Sequence, residues 1–265
     1  TQKMLFPGAV VNCGERQAAV NLLKNNPGLS AERNLNHSIQ ALEYNLVDAV
    51  YKLTLDEKQP IAFITGHGEL DQYHVGDISR TLSDYYEVDR IKLEGITPEV
   101  FKYKTLVVAK PQKAFTKEEK YTLDQYLMNG GSIFWFIDKV NISIDSLSMK
   151  SSTMATISRL NLGDQLFNYG VRINPNLIKD AQCAIIPVNT SYASDNPKFS
   201  PSPWVYYPLL SSPNNHPINK NLNMIKTQFV SSIDTLSENP DLEKTILLTS
   251  SNHSKTIQVP ALVSL

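Results

Sequence analysis

Two histidines and three carboxylates lie within eleven consecutive residues, and side chains of these types are suited to proton transfer or cation binding. The set is His67, Glu69, Asp71, His74 and Asp77. Their spacing matches no defined metal motif, since the pattern H-E-x-x-H is absent. The sequence therefore predicts no metal site and no cofactor, and it leaves acid–base chemistry, ligand contact and local structure as possible roles.

A tight loop carries the first of these residues. An apolar run ends at a Gly-His-Gly-Glu sequence and a helical pattern follows, which predicts a strand, a loop and a helix. In an open α/β sheet, the loop at the carboxyl end of a strand faces the crevice where ligands and partners bind. The candidates for ligand or partner contact are Gly66, His67, Gly68, Glu69 and Asp71.

A purely structural interpretation of the same loop is also open. Gly66 and Gly68 would allow an unusual backbone turn over which His67 packs. Glu69 or Asp71 would then cap the following helix. This interpretation needs no ligand.

Asp138 adds a further candidate, because it follows an apolar run at residues 132–137. The carboxyl ends of parallel strands meet at one edge, so Asp138 can share a site with the Gly66 loop, or it can serve a turn. A hydrolase or carbohydrate-binding enzyme using His67, Glu69 and Asp138 is the alternative function. No nucleophile elbow, P-loop or dinucleotide motif occurs, and this favours a protein without catalytic activity.

Bulk composition excludes several classes of protein. With 265 residues and 42% hydrophobic content, the chain can bury a core without cross-links. Its 25 basic and 26 acidic residues give a net charge of −1, and no basic run suggests a nucleic-acid partner. Cys13 and Cys183 are expected to be free. No apolar stretch is long enough to span a bilayer, and we expect any membrane anchor to lie outside this segment.

The first part of the chain, residues 1–55, is predicted to be a strand arm followed by a long helix over residues 31–54. The helix carries one apolar stripe, formed by Leu35, Ile39, Leu42, Leu46, Ala49 and Leu53. We expect this stripe to pack on the sheet of its own domain. The alternative is a seam for another subunit.

Residues 56–140 alternate between strand and helix patterns. The predicted strands are residues 61–65, 88–93, 105–109 and 132–137, and the predicted helices are one with Ile78, Leu82, Tyr85 and Tyr86 on its apolar face and one over residues 117–128. Thr116 and Glu119 form a capping box for the second helix. The pattern predicts an α/β fold with a mostly parallel sheet flanked by helices on both faces.

Residues 141–265 are predicted to be an irregular insertion with strands that complete or extend the core. A short helix is expected over residues 161–169, and strands at 228–233 and 244–249 are expected to rejoin the first sheet at its edge. The proline-rich segment 201–208 is expected to be an irregular loop. Its aromatic residues would close a core beneath the loop or, alternatively, form a platform for sugar or peptide.

Five segments carry a resemblance to a known family. They are Ile61-Ala-Phe-Ile-Thr-Gly-His-Gly-Glu-Leu70, Val107-Val-Ala-Lys-Pro111, Leu123-Asp-Gln-Tyr-Leu-Met-Asn-Gly-Gly131, Tyr169-Gly-Val-Arg-Ile-Asn-Pro175 and Ser231-Ser-Ile-Asp-Thr-Leu236. In this order and spacing they resemble the GldG family of gliding-motility-associated ABC transporter auxiliary proteins. The resemblance implies a glutamine-amidotransferase-like α/β domain on the periplasmic side of the inner membrane. It also implies membrane anchors outside this chain and partnership with separate ATPase and permease subunits.

Two triplets resemble an O-glycosylation signal of bacteria that carry this family. They are Asp145-Ser146-Leu147 and Asp234-Thr235-Leu236. The function expected from the sequence is that of a non-catalytic, extracytoplasmic accessory subunit of an ABC transport system, which acts by binding a partner or ligand.

Overall fold

A β-hairpin and a long helix precede the main sheet. The computed structural model describes residues 7–142, 144, 147, 152–189, 198–220, 222–236 and 242–264. Strands β1 (Gly8–Cys13) and β2 (Arg16–Asn21) pair antiparallel, and helix α1 spans Ala31–Thr54. Both the strand arm and the bounds of the helix are as predicted. Ser30 caps α1 by accepting a hydrogen bond from the Arg33 N–H.

The apolar stripe of α1 does not pack on the sheet along its whole length, which corrects the expectation. Leu35, Ile39 and Leu42 are exposed. The buried side chains in this half of α1 are polar: Asn34 Oδ1 accepts from the Asn26 N–H at 3.0 Å and Ser38 Oγ from the Lys24 N–H at 2.9 Å. The segment after β2 is not part of a sheet, so its N–H groups need other hydrogen-bond acceptors. The polar side chains of α1 provide them, and this face of the helix therefore packs against the segment.

Four parallel strands form the central sheet of the α/β core. They are β3 (Gln59–Thr65), β4 (Tyr86–Lys92), β5 (Thr105–Ala109) and β6 (Ser132–Phe136), in the order β4-β3-β5-β6. Between them lie α2 (Gly76–Ser83), a 3₁₀ turn (Pro98–Lys102) and α3 (Lys117–Met128). The predicted α/β class and the parallel pairing are confirmed.

Helices cover both faces of this sheet, as expected. On one face, Ile64 and Val108 are buried in a cluster with Leu123 and Tyr126 of α3. On the other face, Phe63 and Val107 are buried and Leu82 of α2 packs against them. Each fully buried aliphatic side chain contributes about 1.5–3 kcal/mol relative to an exposed one.

Helix α2 is shorter than predicted. It ends at Ser83, so Tyr85 lies in the following turn and Tyr86 begins β4. The Tyr85 hydroxyl donates to Asp48 of α1, and this contact takes the side chain away from the sheet.

The remaining residues form small antiparallel sheets and one short helix. The elements are β7 (Val140–Asn141), β8 (Ser152–Ile157), α4 (Gly163–Asn168), β9 (Val171–Ile173), β10 (Asn176–Asp180), β11 (Cys183–Asn189), β12 (Phe199–Leu210), β13 (Ile225–Lys226), β14 (Ile233–Thr235), β15 (Ser254–Gln258) and β16 (Ala261–Ser264). The sheets are β16-β8-β7, β14-β9, β10-β15 and β11-β12-β13. The short helix was correctly predicted within residues 161–169.

Two predicted strands in this part are wrong. Residues 228–232 are not a strand, because Phe229 has a φ of 51°, outside the β region. Residues 244–249 contribute only a single bridge between Thr249 and Ser211. Neither segment rejoins the parallel sheet. The division into parts 1–55, 56–140 and 141–265 stays a prediction.

The proline-rich segment is strand β12, not an irregular loop. Its register places Pro201 directly opposite Pro187 of β11. Antiparallel pairs alternate between a hydrogen-bonded and a non-hydrogen-bonded type, and the second type needs no N–H from either residue. Two opposed prolines therefore fit the non-hydrogen-bonded type, and the neighbouring pair of Ile186 and Ser202 is the hydrogen-bonded one.

The aromatic residues of β12 lie where its pairing with β11 is interrupted. The register shifts between the pairs Ile185–Pro203 and Cys183–Pro208, so β12 has the longer path between them. Trp204, Tyr206 and Tyr207 lie on this longer path and are buried with Phe229. The interpretation that they close a core is confirmed, and their burial removes the alternative of an exposed aromatic platform.

Other features concern the cysteines, the membrane and the two triplets. Cys13 and Cys183 are both free. Within the described part of the chain, no helix is long and apolar enough to cross a membrane. Asp145 and Ser146 of the first triplet lie outside the described residues, and Thr235 of the second is exposed in β14.

The proline register of β12 can be tested by two substitutions. Ser202→Pro removes a ladder N–H and is expected to lower the free energy of unfolding by about 1–3 kcal/mol. Pro201→Ala changes a position that donates nothing and is expected to have a much smaller effect. Urea unfolding of the two variants measures both values, and equal destabilisation would contradict the assigned register.

Candidate functional site

The loop after β3 has a backbone that only glycine accommodates at its first position. Gly66 has a φ of 126°, and a Cβ placed there would lie 2.8 Å from the Leu93 carbonyl oxygen. Gly68 also has a positive φ, of 73°. The His67 carbonyl between them accepts hydrogen bonds from the N–H groups of Gln112 (2.7 Å) and Lys113 (2.8 Å). The predicted unusual turn is present, and the loop after β5 holds it in place.

His67 lies between two buried glutamates. Its Nδ1 is 3.3 Å from Glu69 Oε1, without the direction of a hydrogen bond, and its Nε2 is 3.1 Å from Glu119 Oε2 within hydrogen-bonding geometry. The side chains of His67, Glu69 and Glu119 are only 5%, 2% and 8% exposed. The imidazole also stacks on the Phe115 ring at 3.9 Å between centroids. We call His67, Glu69 and Glu119 the buried triad.

Backbone groups fix both carboxylates of the buried triad. Glu69 Oε2 accepts the N–H of His67 at 2.7 Å. Glu119 Oε2 accepts the N–H of Thr116 at 2.7 Å, and Thr116 Oγ1 accepts the N–H of Glu119, which completes the predicted capping box of α3. Backbone N–H groups therefore fix one oxygen of each carboxylate, beside the contacts with the imidazole ring.

The electrostatics of the buried triad favour a charged imidazole. Burial by itself lowers the pKa of His67, but Glu69 and Glu119 outweigh burial and raise it above its ordinary value of 6.5. Burial by itself raises the pKa of Glu119. The hydrogen bonds from the Thr116 N–H and the imidazole lower it by more, so the net shift is downward from 4.5. Both shifts favour the charged forms of His67 and Glu119.

The geometry of the buried triad is better suited to holding two segments of the chain together than to metal binding or catalysis. The two carboxylates face opposite nitrogens of one ring, so a single cation could not bind all three side chains. Among the described residues, no group of three or more His, Cys, Asp or Glu side chains has the arrangement of a metal site. What the triad does is join the loop after β3 to the first turn of α3.

Asp71 and Asp138 bond to partners outside the buried triad. Asp71 Oδ1 accepts the N–H groups of Tyr73 and His74 and lies 2.8 Å from His74 Nδ1 on the exposed side of the loop. Asp138 pairs with Lys110 at 3.2 Å and is half exposed. The structure therefore does not gather His67, Glu69 and Asp138 into one constellation.

The expected capping of α2 is wrong. The N-cap of α2 is Val75, which makes no side-chain cap, and Asp77 lies in the first turn. Asp71 instead closes the turn that separates the loop from α2, while Glu69 turns inward to His67.

Sequence analysis missed Glu119 and Phe115 as parts of the site. A usable signal was present: Glu119 was identified in the capping box at the start of α3, and α3 follows the strand next to β3. The helix therefore begins at the same sheet edge as the loop that carries His67.

The sequence was compared with known protein families and structures. Residues 58–265 match the model of the ABC transporter auxiliary family described as "ABC-type uncharacterized transport system". The chain belongs to this family. The matched part of this ABC transport auxiliary protein contains the whole parallel sheet and the buried triad, whereas the hairpin and all of α1 precede it.

Other comparisons are limited. No curated protein matches this sequence. A solved structure titled "mmIFT52 N-terminal domain" is similar to the auxiliary protein with a TM-score of 0.49 and 16% identity, over 74% of each chain.

Removing the imidazole from the buried triad should destabilise the folded protein. His67→Gln leaves the two buried glutamate side chains without the imidazole, and we expect a loss of about 3–5 kcal/mol in the free energy of unfolding. The matched control is His74→Gln, because the ion pair of His74 with Asp71 is exposed and should contribute little. Urea unfolding compares the two variants, and similar losses would contradict the role given to the buried triad.

The same comparison should depend on pH. The raised pKa of His67 makes its contribution complete below 6.5 and lost as pH rises through the folded-state value. The lowered pKa of Glu119 makes its contribution complete above 4.5 and lost as pH falls through the folded-state value. The difference between the wild type and His67→Gln should therefore be largest between these limits and shrink as pH rises through the folded-state pKa of His67, as measured by unfolding at several pH values.

The turn at Gly66 gives a further test. Gly66→Ala combines a positive φ with a clash against the Leu93 carbonyl, and we expect destabilisation by more than about 1 kcal/mol. Gly76→Ala is the matched control, because its added methyl meets nothing within 4 Å and its φ is not in the positive range. Thermal unfolding distinguishes them, and a harmless Gly66→Ala would contradict the proposed constraint.

Proposed function

We propose that this protein is a non-catalytic accessory subunit of an ABC transport system that contacts its partner through the exposed side of the loop after β3. Membership of the auxiliary family over residues 58–265 carries the proposal. We further propose that it acts on the periplasmic side of the inner membrane, held by membrane anchors outside this chain. The partners would be the separate permease and ATPase subunits.

The finer assignment rests on the sequence resemblance. We propose a GldG-like, gliding-motility-associated type of auxiliary protein, with a core related to the glutamine-amidotransferase-like fold. The parallel β4-β3-β5-β6 sheet with helices on both faces supports that relation.

The division of the loop into a buried and an exposed side supports a contact role. His67 and Glu69 face inward and fix the backbone, whereas Asp71 holds a turn that leaves Tyr73 84% exposed. A large aromatic side chain on a rigid turn at the carboxyl edge of a sheet is suited to anchoring a partner. The buried triad would act as the support for this surface.

The alternative of a hydrolase or carbohydrate-binding enzyme receives less support. Its two principal residues, His67 and Glu69, are almost completely buried, and the ring nitrogens of His67 face carboxylates. Asp138 pairs with Lys110 at a separate point. A substrate would need the loop to open before it reached the imidazole.

Co-purification of the full-length, membrane-anchored protein with the permease and ATPase encoded beside it tests the proposal. We expect the complex to form with residues 1–265 present and to be lost without them. Tyr73→Ser should weaken it at least about tenfold, the usual size of an anchoring contact.

Tyr121→Ser is the control, since Tyr121 is an exposed tyrosine on α3 and not on the loop. Circular dichroism checks that both variants fold. A complex that forms without residues 1–265, or is unaffected by Tyr73→Ser, would contradict the proposed contact. Turnover of a screened sugar or ester substrate that is lost in His67→Gln would favour the enzyme.

A further inference from the structure

Strand β6 is an edge of the parallel sheet, and no described strand pairs with its outer side. The Ser132 N–H donates to the Lys104 carbonyl, and the Phe136 carbonyl accepts from the Lys110 N–H. Residues 132 and 136 therefore turn their backbone groups towards β5, as does residue 134 between them. The N–H and C=O groups of Ile133 and Trp135 face outward.

The two edges of this sheet differ in charge. The opposite edge, β4, carries Glu87, Asp89, Arg90 and Lys92. Charged side chains on an edge strand oppose pairing with another chain. The sequence of β6 is Ser-Ile-Phe-Trp-Phe and contains no charge and no proline. Only the β6 edge lacks this protection.

The side chains of β6 are also divided between its two faces. Ile133 and Trp135 pack into the core beneath α3. Phe134 and Phe136 point to the other face, where they are 60% and 58% exposed and stack on each other at 6.4 Å with an interplanar angle of 11°. The open edge and the exposed aromatic pair are adjacent parts of one surface.

We propose that this surface binds a second copy of the same chain through antiparallel pairing of β6 with β6 about a two-fold axis at Phe134. Ile133 of each copy then faces Trp135 of the other, and each such pair exchanges both N–H···O bonds. Phe134 meets its equivalent at a non-hydrogen-bonded pair, where side chains are closest. The two four-stranded sheets become one continuous sheet.

Self-pairing is favoured over another partner because the β6 edge is complementary to itself. The pairing places uncharged residues opposite uncharged residues at every position, with Phe136 facing Ser132. The same operation on β4 would place Asp89 against Asp89. A charged partner would find no complementary charge on the strand.

Sedimentation equilibrium over a wide range of protein concentration tests the dimer. We expect the 265-residue chain to form a dimer and Phe134→Lys to weaken association about tenfold or more, because it places two lysines opposite each other. Tyr121→Lys is the matched control, since Tyr121 is 58% exposed on another surface. A wild-type chain that stays monomeric, or a dimer unaffected by Phe134→Lys, overturns the proposal.

Cross-linking tests the register. In a Cys13→Ser, Cys183→Ser background, Phe134→Cys should form a disulfide-linked dimer on mild oxidation, because the two positions are directly opposed. Phe136→Cys should not, since its copies are four residues apart along the strands, roughly 13 Å, beyond the reach of a disulfide. Equal cross-linking of both variants, or of neither, overturns the assigned pairing.

Discussion

The contact of the buried His67 imidazole with two buried glutamate side chains is the interaction on which the candidate site depends. Neither glutamate is close to solvent, so each needs a compensating partner within the protein. The His67 imidazole provides for both at once, and its position requires the turn that Gly66 permits. The loop after β3, the loop after β5 and the start of α3 are therefore linked through one ring.

This linkage gives a single short segment one buried side and one exposed side. The inward residues of the loop satisfy one another and leave their neighbours on the outer side to meet solvent. The contact surface that we propose would rest on this turn. The histidine that first suggests proton chemistry is thus better understood as the residue that holds the turn.

Sequence analysis succeeded where local signals agree with the tertiary structure. The capping box at Thr116 and the apolar run at Thr105–Ala109 each indicate one element, and both elements have the predicted bounds.

Sequence analysis failed where contacts between distant residues decide the structure. The proline content argued against a strand at β12. That Pro201 lies opposite Pro187 could not be predicted, because the sequence does not give the strand register. The stripe on α1 was found, yet the polar residues beside it decided which face is buried. In the same way, the motif around His67 was recognised, but its partner Glu119 is 52 positions away.

The unequal edges of the central sheet also limit how large an assembly can become. A sheet with two unprotected edges can add copies at both sides and grow into a filament. In this sheet, β4 carries two acidic and two basic side chains, so pairing through β6 uses the one edge of the sheet that has no charge. Such a contact is closed: once two copies have met, both outer edges of the joined central sheet are charged β4 strands, and this sheet adds no further copy.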